Sequence, residues 1–292
     1  MFAALASTVN LAQISHGGSP VNWDDATYHP TFEVKNMPIA DLVAAAAEDA
    51  VTEQFKDAPW RFGLERDVTY NLENSGTWTF ENENHVWRLG IDCPEALNIS
   101  FMLSTFDLPA EAALYVYNST RTAYLGSFTQ SNNKLWGGLS LGVLDGSSMI
   151  LEYHESPAVH GQGSIEISTV VHGYRSLLNH QEAVVDELTS RMGPFGNSGA
   201  CNVNVNCPEG NDWQVEKRSV ALIVNGGYAY CTGSLVNNTA NDETPYFLTA
   251  NHCIGTPNTW VYYFNHESAD CSGTTGPTDQ SVSGGTLLVQ DG

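Results

Sequence analysis

The hydrophobic pattern changes once in the first half of the chain. Residues 39–53 are rich in alanine, and their leucine, valine and several alanines fall on one side at helical spacing. This spacing predicts a helix. From Val68 onwards, apolar residues alternate with polar ones in short runs that Gly, Pro, Asn and Asp interrupt, which is typical of β-strands. The pattern therefore predicts an all-β protein with one preceding helix.

The alternating runs form two groups with a break between them. The first group consists of residues 86–91, 97–103, 113–117, 134–141, 149–153 and 164–171. Many short strands at this spacing favour a β-sandwich of the jelly-roll type, with turns expected at 107–110, 132–133 and 145–146. The second group consists of residues 219–224, 230–236, 246–250 and 260–264.

The stretch between the two groups predicts a linker. Residues 182–188 have a helical pattern, and residues 192–199 are rich in glycine with few bulky side chains. Exposed segments of this kind are preferred sites of proteolysis. We therefore divide the chain into a β-sandwich at 14–175, a linker or processing region at 176–195 and a second β-rich domain at 196–292.

The first thirteen residues leave two interpretations open. The segment from Met1 to Leu11 is apolar, but no Lys or Arg occurs before Lys35, so the basic region of a secretory signal is missing. Residues 1–13 are either the remnant of a signal peptide or an ordinary N-terminal strand.

The composition indicates a folded and strongly acidic protein. Hydrophobic residues make up 42% of the 292 residues, which is enough to build a core. Thirty-three Asp and Glu against eleven Lys and Arg give a net charge of −22. A polyanion is repelled by phosphate backbones and anionic lipids, so we expect neither nucleic acid nor a membrane as a partner. No ligand spacing of the EF-hand type occurs, and no cofactor is expected.

The cysteines point to an oxidising compartment. Cys93 stands alone, whereas the other five fall within about seventy residues of one another; these are Cys201, Cys207, Cys231, Cys253 and Cys271. Zinc sites usually show paired C-x₂₋₄-C or H-x₃₋₅-H spacings, and these cysteines do not. Disulfides are the better interpretation, although six thiols allow fifteen full pairings and the spacing does not choose among them.

His252 is the histidine whose surroundings suggest chemistry. It ends an apolar strand in Phe247-Leu-Thr-Ala-Asn-His-Cys253. A general base needs a fixed imidazole ring, and a disulfide from the adjacent cysteine to a neighbouring strand would hold it. The alternative is a structural histidine at a strand end.

The second domain resembles a known family. Cys231-Thr-Gly-Ser-Leu-Val-Asn-Asn-Thr239, followed by Thr244-Pro-Tyr-Phe-Leu-Thr-Ala-Asn-His-Cys253, resembles the trypsin-like serine proteases and specifically the bacterial lysyl endopeptidase group. The run Ser198-Gly-Ala-Cys-Asn-Val-Asn-Val-Asn-Cys-Pro-Glu-Gly210 is similar to the start of that group's mature enzyme.

This resemblance implies a chymotrypsin-like fold of two β-barrels, of which residues 196–292 supply the first. It implies His252 as the general base of a Ser-His-Asp triad that acts on polypeptide substrates. It also implies disulfides Cys207–Cys271 and Cys231–Cys253, with Cys201 paired to a cysteine of the second barrel. Because the aspartate and the serine are expected beyond Gly292, we expect this chain to be an inactive fragment; Cys93 is expected to be a buried thiol or a spurious partner of Cys201.

Residues 14–175 resemble, more loosely, the pro-region of these secreted bacterial proteases. The likeness lies in the segments 86–91, 108–117 and 171–175. It implies a secreted precursor, extracellular or periplasmic, in which the first domain assists folding, contacts the protease domain and is cut away near residues 193–198. We expect a monomer.

A binding module is the competing interpretation. A jelly roll with exposed aromatics such as Trp78, Trp136 and Tyr124 could bind a polysaccharide or a protein, with a vestigial protease segment attached.

Overall fold

The structure is a computed structural model that describes residues 15–55, 58–177, 203–272 and 276–290. The predicted N-terminal segment 1–13, the helical pattern at 182–188 and Cys201 all lie outside these residues. One α-helix, α1, spans Leu42–Thr52. It begins at Asp41, whose side chain accepts a hydrogen bond from the backbone N–H of Ala44 at 2.9 Å, the usual way to satisfy a free N–H at a helix start.

The strands form three sheets. The strands of the first part of the chain form two of them, except for β2, which belongs to the third sheet. These strands are β1 Glu33–Asn36, β2 Trp60–Arg61, β3 Gly63–Asn71, β4 Thr77–Glu81, β5 Asn84–Asp92, β6 Asn98–Asp107, β7 Ala112–Asn118, β8 Tyr124–Phe128, β9 Leu139–Ser140, β10 Leu144–Asp145, β11 Ser148–Glu155 and β12 Ser164–Gly173. The remaining strands are β13 Val220–Asn225, β14 Tyr228–Val236, β15 Tyr246–Thr249, β16 Val261–Phe264 and β17 Ser281–Ser283.

The first two sheets pack face to face as a sandwich. One has the order β1-β5-β11-β7-β8 with β4 also paired to β5, and the other has the order β10-β6-β12-β3 with β9 also paired to β6. Their inner faces share one apolar cluster, to which the first sheet contributes Leu89 and Leu151 and the second contributes Phe101 and Ile167. Alternate residues of a strand point to opposite faces, so the alternation in the sequence supplies this core.

The all-β prediction with one preceding helix is confirmed, and most of the predicted strands coincide with observed ones. The predicted strand at 134–141 is wrong over most of its length, since only Leu139–Ser140 pairs there. The backbone N–H of Gly137 donates to the carbonyl of Lys134, and Gly137 has φ +78°. A glycine in the left-handed region makes a turn, and a turn ends the extended conformation.

The third sheet has the order β15-β14-β13-β16-β17. Within the described residues its outer strands β15 and β17 do not pair with each other, so the sheet does not close into the barrel that the resemblance implies. The barrel stays a prediction.

The sandwich and the third sheet share a second apolar cluster. It contains Phe62, Val143, Val171 and Leu177 from the first part of the chain and Val224, Ala229, Val261 and Tyr263 from the third sheet. Strand β2 also pairs with β14, placing Arg61 opposite Tyr228 and Trp60 opposite Ala229. The first and second parts of the chain are thus joined by both apolar packing and backbone hydrogen bonds.

A buried ion pair lies on the outer face of the first sheet. Arg88 and Glu152 stand opposite each other on β5 and β11, and the arginine Nε donates to the Glu152 carboxylate at 2.6 Å. Arg88 also donates to Glu81 at 2.6 Å, and the backbone N–H of Val21 donates to Glu152 at 2.7 Å. Residues before β1 therefore cover this face and complete the partners that a buried carboxylate needs.

The two carboxyl groups of this network have lowered pKa values. Burial by itself raises the pKa of Glu81, but hydrogen bonds from Arg88, Thr79 and Tyr28 outweigh it and bring the pKa to about 2. Burial also raises the pKa of Glu152. The hydrogen bond from His154 and the charges of His154 and Arg88 outweigh this effect, so the pKa of Glu152 is lowered.

We expect Glu81 to make the protein sensitive to acid. A carboxyl group whose pKa is lower in the folded state stabilises that state above its unfolded pKa of 4.5 and loses this contribution as the pH falls towards 2. Glu81→Gln should therefore flatten the fall in unfolding free energy between about pH 4.5 and 2. Urea unfolding at a series of pH values measures this fall in the unfolding free energy. Glu73→Gln, on the exposed turn before β4, is the control. Equal pH dependence of the Glu81 and Glu73 variants would show that Glu81 is not the cause of the acid sensitivity.

No helix among the described residues is both long enough and apolar enough to cross a membrane.

Candidate functional site

His252 lies at the end of β15, on a short turn that leaves the sheet. The strand ends at Thr249, and a 3-10 helix, Asn251–Cys253, follows it. The backbone N–H of Cys253 donates to the carbonyl of Ala250 at 3.0 Å, which closes the turn. Cys253 is buried and His252 is exposed. The turn therefore presents the imidazole to solvent while its neighbour anchors the backbone.

A disulfide fixes this turn to the adjacent strand. Cys253 is bonded to Cys231 of β14, with the two Cα atoms 6.0 Å apart. The hydroxyl of Thr249 also donates to the carbonyl of Thr232 at 2.8 Å, so a hydrogen bond and a covalent bond hold the end of β15 to the same short segment of β14. This is the rigidity that a positioned general base requires.

The Cys231–Cys253 disulfide borders the core of the third sheet. Cys231 packs with Tyr230 and Phe247 against a small buried cluster that includes Ile223 and Trp260. Because Ile223 stands opposite Cys231 in the β13–β14 pair, the backbone beneath the disulfide belongs to the interior of the sheet. Motion of the histidine-bearing turn is therefore limited by the packing of that interior.

The edge of β14 that pairs with β15 also pairs with β2, so a segment from the first part of the chain lies close to the histidine-bearing turn. Strand β13 occupies one edge of β14 along residues 228–234, so β15 and β2 must both lie on the other edge. There β15 pairs with residues 233–236 and β2 pairs with Tyr228 and Ala229. Residues 230–232, including Cys231, lie between the two, and Ala229 is about 7 Å along the strand from Cys231.

The partners of a catalytic triad are not assembled around His252 in the described part of the chain. No carboxylate or hydroxyl there forms a hydrogen bond with its ring. A general base in a serine protease donates one ring N–H to a carboxylate and accepts the serine proton at the other nitrogen. The described residues therefore provide an exposed imidazole on an anchored turn, but neither of its two catalytic partners at hydrogen-bond distance.

Three potential metal ligands meet at the same place. One ligand atom from each of Cys231, His252 and Cys253 falls within 4.8 Å of the others. The two sulfurs are bonded to each other, however, and zinc is held by thiolates. As a disulfide the pair offers no thiolate, and the histidine alone does not make a metal centre.

The second disulfide anchors the start of the second domain. Cys207 is bonded to Cys271, with the Cα atoms 4.4 Å apart. Lys217 reaches the same region, where its ammonium group lies 2.7 Å from the Glu267 carboxylate. The irregular stretch before β13 is thereby tied to the loop after β16, and both disulfides are the pairs that the resemblance implies.

Cys93 is buried and unpaired. Burial is the main cause that raises the pKa of its thiol to about 12, with the nearby Asp92 charge adding to it. A protonated buried thiol is a poor nucleophile and a poor metal ligand. Among the described residues Cys93 is the expected buried thiol; the other expectation, a pairing with Cys201, involves a residue outside them.

One surface cavity lies near the site but does not contain it. It has a volume of about 430 Å³ and lies between α1, β2 and the start of β14. Its lining includes Glu48, Arg61, Glu65 and Tyr228, and not His252.

The family comparison covers this part of the chain. Residues 195–291 match the family model described as lysyl endopeptidase, C-terminal domain. This part of the chain is similar to a protease domain. The match spans about a third of the 292-residue chain and includes His252 and both disulfides. Residues 15–177 lie outside it. Two disulfides also fit an extracytoplasmic protein.

The contacts that surround β2 could not be predicted from the hydrophobic pattern. The pairing of Trp60–Arg61 with β14 joins residues more than 160 positions apart. A Gly226-Gly227 pair between two apolar runs is a hairpin signal, and it could have identified the turn of β13 and β14. Nothing in the pattern identifies which strand lies on its edge.

We expect removal of the Cys231–Cys253 disulfide to loosen the histidine-bearing turn. Replacing both cysteines by serine should lower the unfolding free energy by roughly 3 kcal/mol, since the bond closes a loop of about twenty residues. Urea unfolding measures the loss, and the width and exchange of the His252 ring signals in NMR report the mobility.

Cys93→Ala serves as the control because neither disulfide of the described residues involves Cys93. It should leave the His252 ring signals unchanged. Ring signals that stay the same in the double serine variant would show that the disulfide does not position the histidine.

Proposed function

We propose that the chain is the precursor of a secreted serine endopeptidase in which His252 is the general base. The observation that carries the proposal is the exposed imidazole on the disulfide-anchored turn after β15, within the segment similar to the lysyl endopeptidase domain. In such an enzyme the imidazole takes the proton of a serine hydroxyl as this attacks the peptide carbonyl, and returns it to the leaving amine.

The substrates proposed are polypeptides, of the kind cleaved by trypsin-like or lysyl endopeptidases. The side chain preferred at the cleaved bond is left open, because no residue described here forms a pocket for it. A triad also requires an aspartate that orients the imidazole and a serine that attacks. Since neither lies at hydrogen-bond distance from His252 in the described part, we propose that this 292-residue chain does not itself hydrolyse peptides.

The first domain is proposed to act as a pro-domain. What supports this is the direct contact between the two parts: the shared apolar cluster and the pairing of β2 with β14 beside the histidine-bearing turn. Sheets built from distant strands fold slowly because loop closure precedes the gain from pairing. A preformed sandwich that presents an ordered strand to β14 would lower the entropic cost of loop closure. Cleavage within the linker at 176–195 would later divide the precursor into two chains.

The alternative of a carbohydrate-binding module receives less support. Trp78 donates its indole N–H to the carbonyl of Leu72 and packs against the sandwich core. The ring of Trp136 lies against Gly284, the residue after β17, and Tyr124 packs edge-on against Trp23. The three aromatic rings expected to bind sugar are thus half-buried and packed against different parts of the protein.

A serine-directed reagent tests the proposed inactivity. The purified 292-residue chain should not be labelled by a fluorophosphonate and should not cleave a lysyl peptide substrate, because the imidazole alone does not activate a hydroxyl for attack. Labelling of a serine that is prevented by His252→Ala would show that this chain contains a working nucleophile, and would overturn the proposed inactivity.

His252→Ala tests the proposed base in the protein as its natural source secretes it. Loss of one member of a triad lowers kcat by about 10⁴-fold or more while KM changes little. Hydrolysis of a lysyl peptide measures both constants. Asn251→Ala, which alters the adjacent exposed residue of the same turn, should retain activity; equal activity of the two variants would refute the assignment.

A further inference from the structure

We propose that residues 60–65 form a latch that binds the Gly226-Gly227 turn by strand addition and keeps the two domains associated after the linker is cut. The partner is thus a specific glycine hairpin, held mainly through its backbone. The inference rests on the proposed function in one respect only, namely that the linker is cut in the natural protein. Binding of the latch to the glycine hairpin does not itself depend on that cleavage.

The latch and the hairpin exchange backbone hydrogen bonds. The N–H groups of Phe62 and Gly63 both donate to the carbonyl of Gly227, at 2.8 and 3.0 Å. The N–H of Gly227 in turn donates to the carboxylate of Glu65 at 3.2 Å. Gly227 is therefore bound at both its backbone N–H and its backbone carbonyl, and main-chain hydrogen bonds are also what gives affinity when a strand is added to a sheet edge.

The fit leaves no room for side chains on the hairpin. A Cβ at Gly227 would lie 2.2 Å from the carbonyl oxygen of Gly63, and a Cβ at Gly226 would lie 1.9 Å from the Glu65 carboxylate. Gly226 also has φ +56°, a conformation that glycine adopts readily. The backbone of the latch therefore excludes a side chain at Gly227, whereas at Gly226 it is the positive φ that favours glycine.

The latch is held in its binding conformation by charged groups of the first domain. Arg61 donates to Asp49 and to Glu48 of α1, at 2.8 and 2.9 Å. Arg175, just before the linker, lies 3.0 Å from the second oxygen of Asp49. Asp49 is buried, so this carboxylate joins the helix, the latch and the start of the linker. An element ordered before binding loses less entropy on association.

A second contact adds to the latch on the other side of the apolar cluster. The backbone N–H of Val143 donates to the hydroxyl of Tyr263 at 2.8 Å, and both residues are buried. The hydroxyl of Ser283 donates to the carbonyl of Ser140. The interface therefore has an apolar centre with backbone hydrogen bonds on two sides, as stable interfaces between separate chains do.

The experiment uses the whole chain with a recognition site for a sequence-specific protease inserted within residues 184–190. After cutting, we expect both halves to elute together in size-exclusion chromatography at micromolar concentration. Gly227→Ala should speed their dissociation at least about tenfold, because the Cβ clashes with the latch. Gly255→Ala is the control, since its Cβ would meet only the Tyr230 hydroxyl, at 3.9 Å.

A variant of the latch keeps the test independent of folding of the hairpin. Glu65 is exposed, so Glu65→Ala should leave each half folded while removing the acceptor for the Gly227 N–H, and dissociation should be about three- to tenfold faster. Separation of the unmodified halves on cutting would overturn the proposal, as would equal dissociation rates for the Glu65, Gly227 and Gly255 variants. Failure of the His252 assignment would leave these rates unchanged.

Discussion

The pairing of β2 with the free edge of β14 is the contact on which the arrangement of the two domains depends. A sheet edge exposes unpaired N–H and carbonyl groups, and proteins normally cover or interrupt such edges. Here β15 covers the far half of the edge and a segment of the sandwich covers the near half. At residues 228–229 of β14, therefore, the neighbouring strand comes from the first part of the chain and not from the third sheet's own segment.

This contact reaches the candidate site through a short and rigid path. Ala229, paired to Trp60, is two residues before Cys231, and Cys231 is bonded to the residue after His252. Each link in this path is a backbone pairing or a covalent bond, so order at the interface supports order in the backbone that carries His252. A histidine in a flexible turn would sample many orientations, whereas a base must stay close to the group whose proton it takes.

Two buried carboxylates of the first part of the chain, Glu152 and Asp49, are each surrounded by hydrogen-bond donors. The Arg88–Glu152 pair would be costly in the interior if either charge stood alone. Instead the carboxylate accepts from a guanidinium, a tyrosine hydroxyl and a backbone N–H. Asp49 plays the corresponding role on the side that faces the third sheet, where Arg61, Arg175 and Tyr174 surround it.

The sequence by itself determined the local structure and the identity of the candidate base. Alternation with period two fixes which residues of a strand face inward, so the strands and the sandwich core could be predicted. The helix at α1 follows from alanine-rich helical spacing, and His252 with its neighbouring cysteine follows from a motif of adjacent residues. Each of these depends on interactions between positions close in the chain.

The tertiary structure alone decided that Trp60–Arg61 pairs with β14, that Asp49 joins three distant segments and that no acid or hydroxyl approaches His252 in the described residues. Pairing across more than 160 residues depends on the relative placement of whole sheets. A strand of two residues is also too short to show an alternating pattern from which its pairing could be predicted.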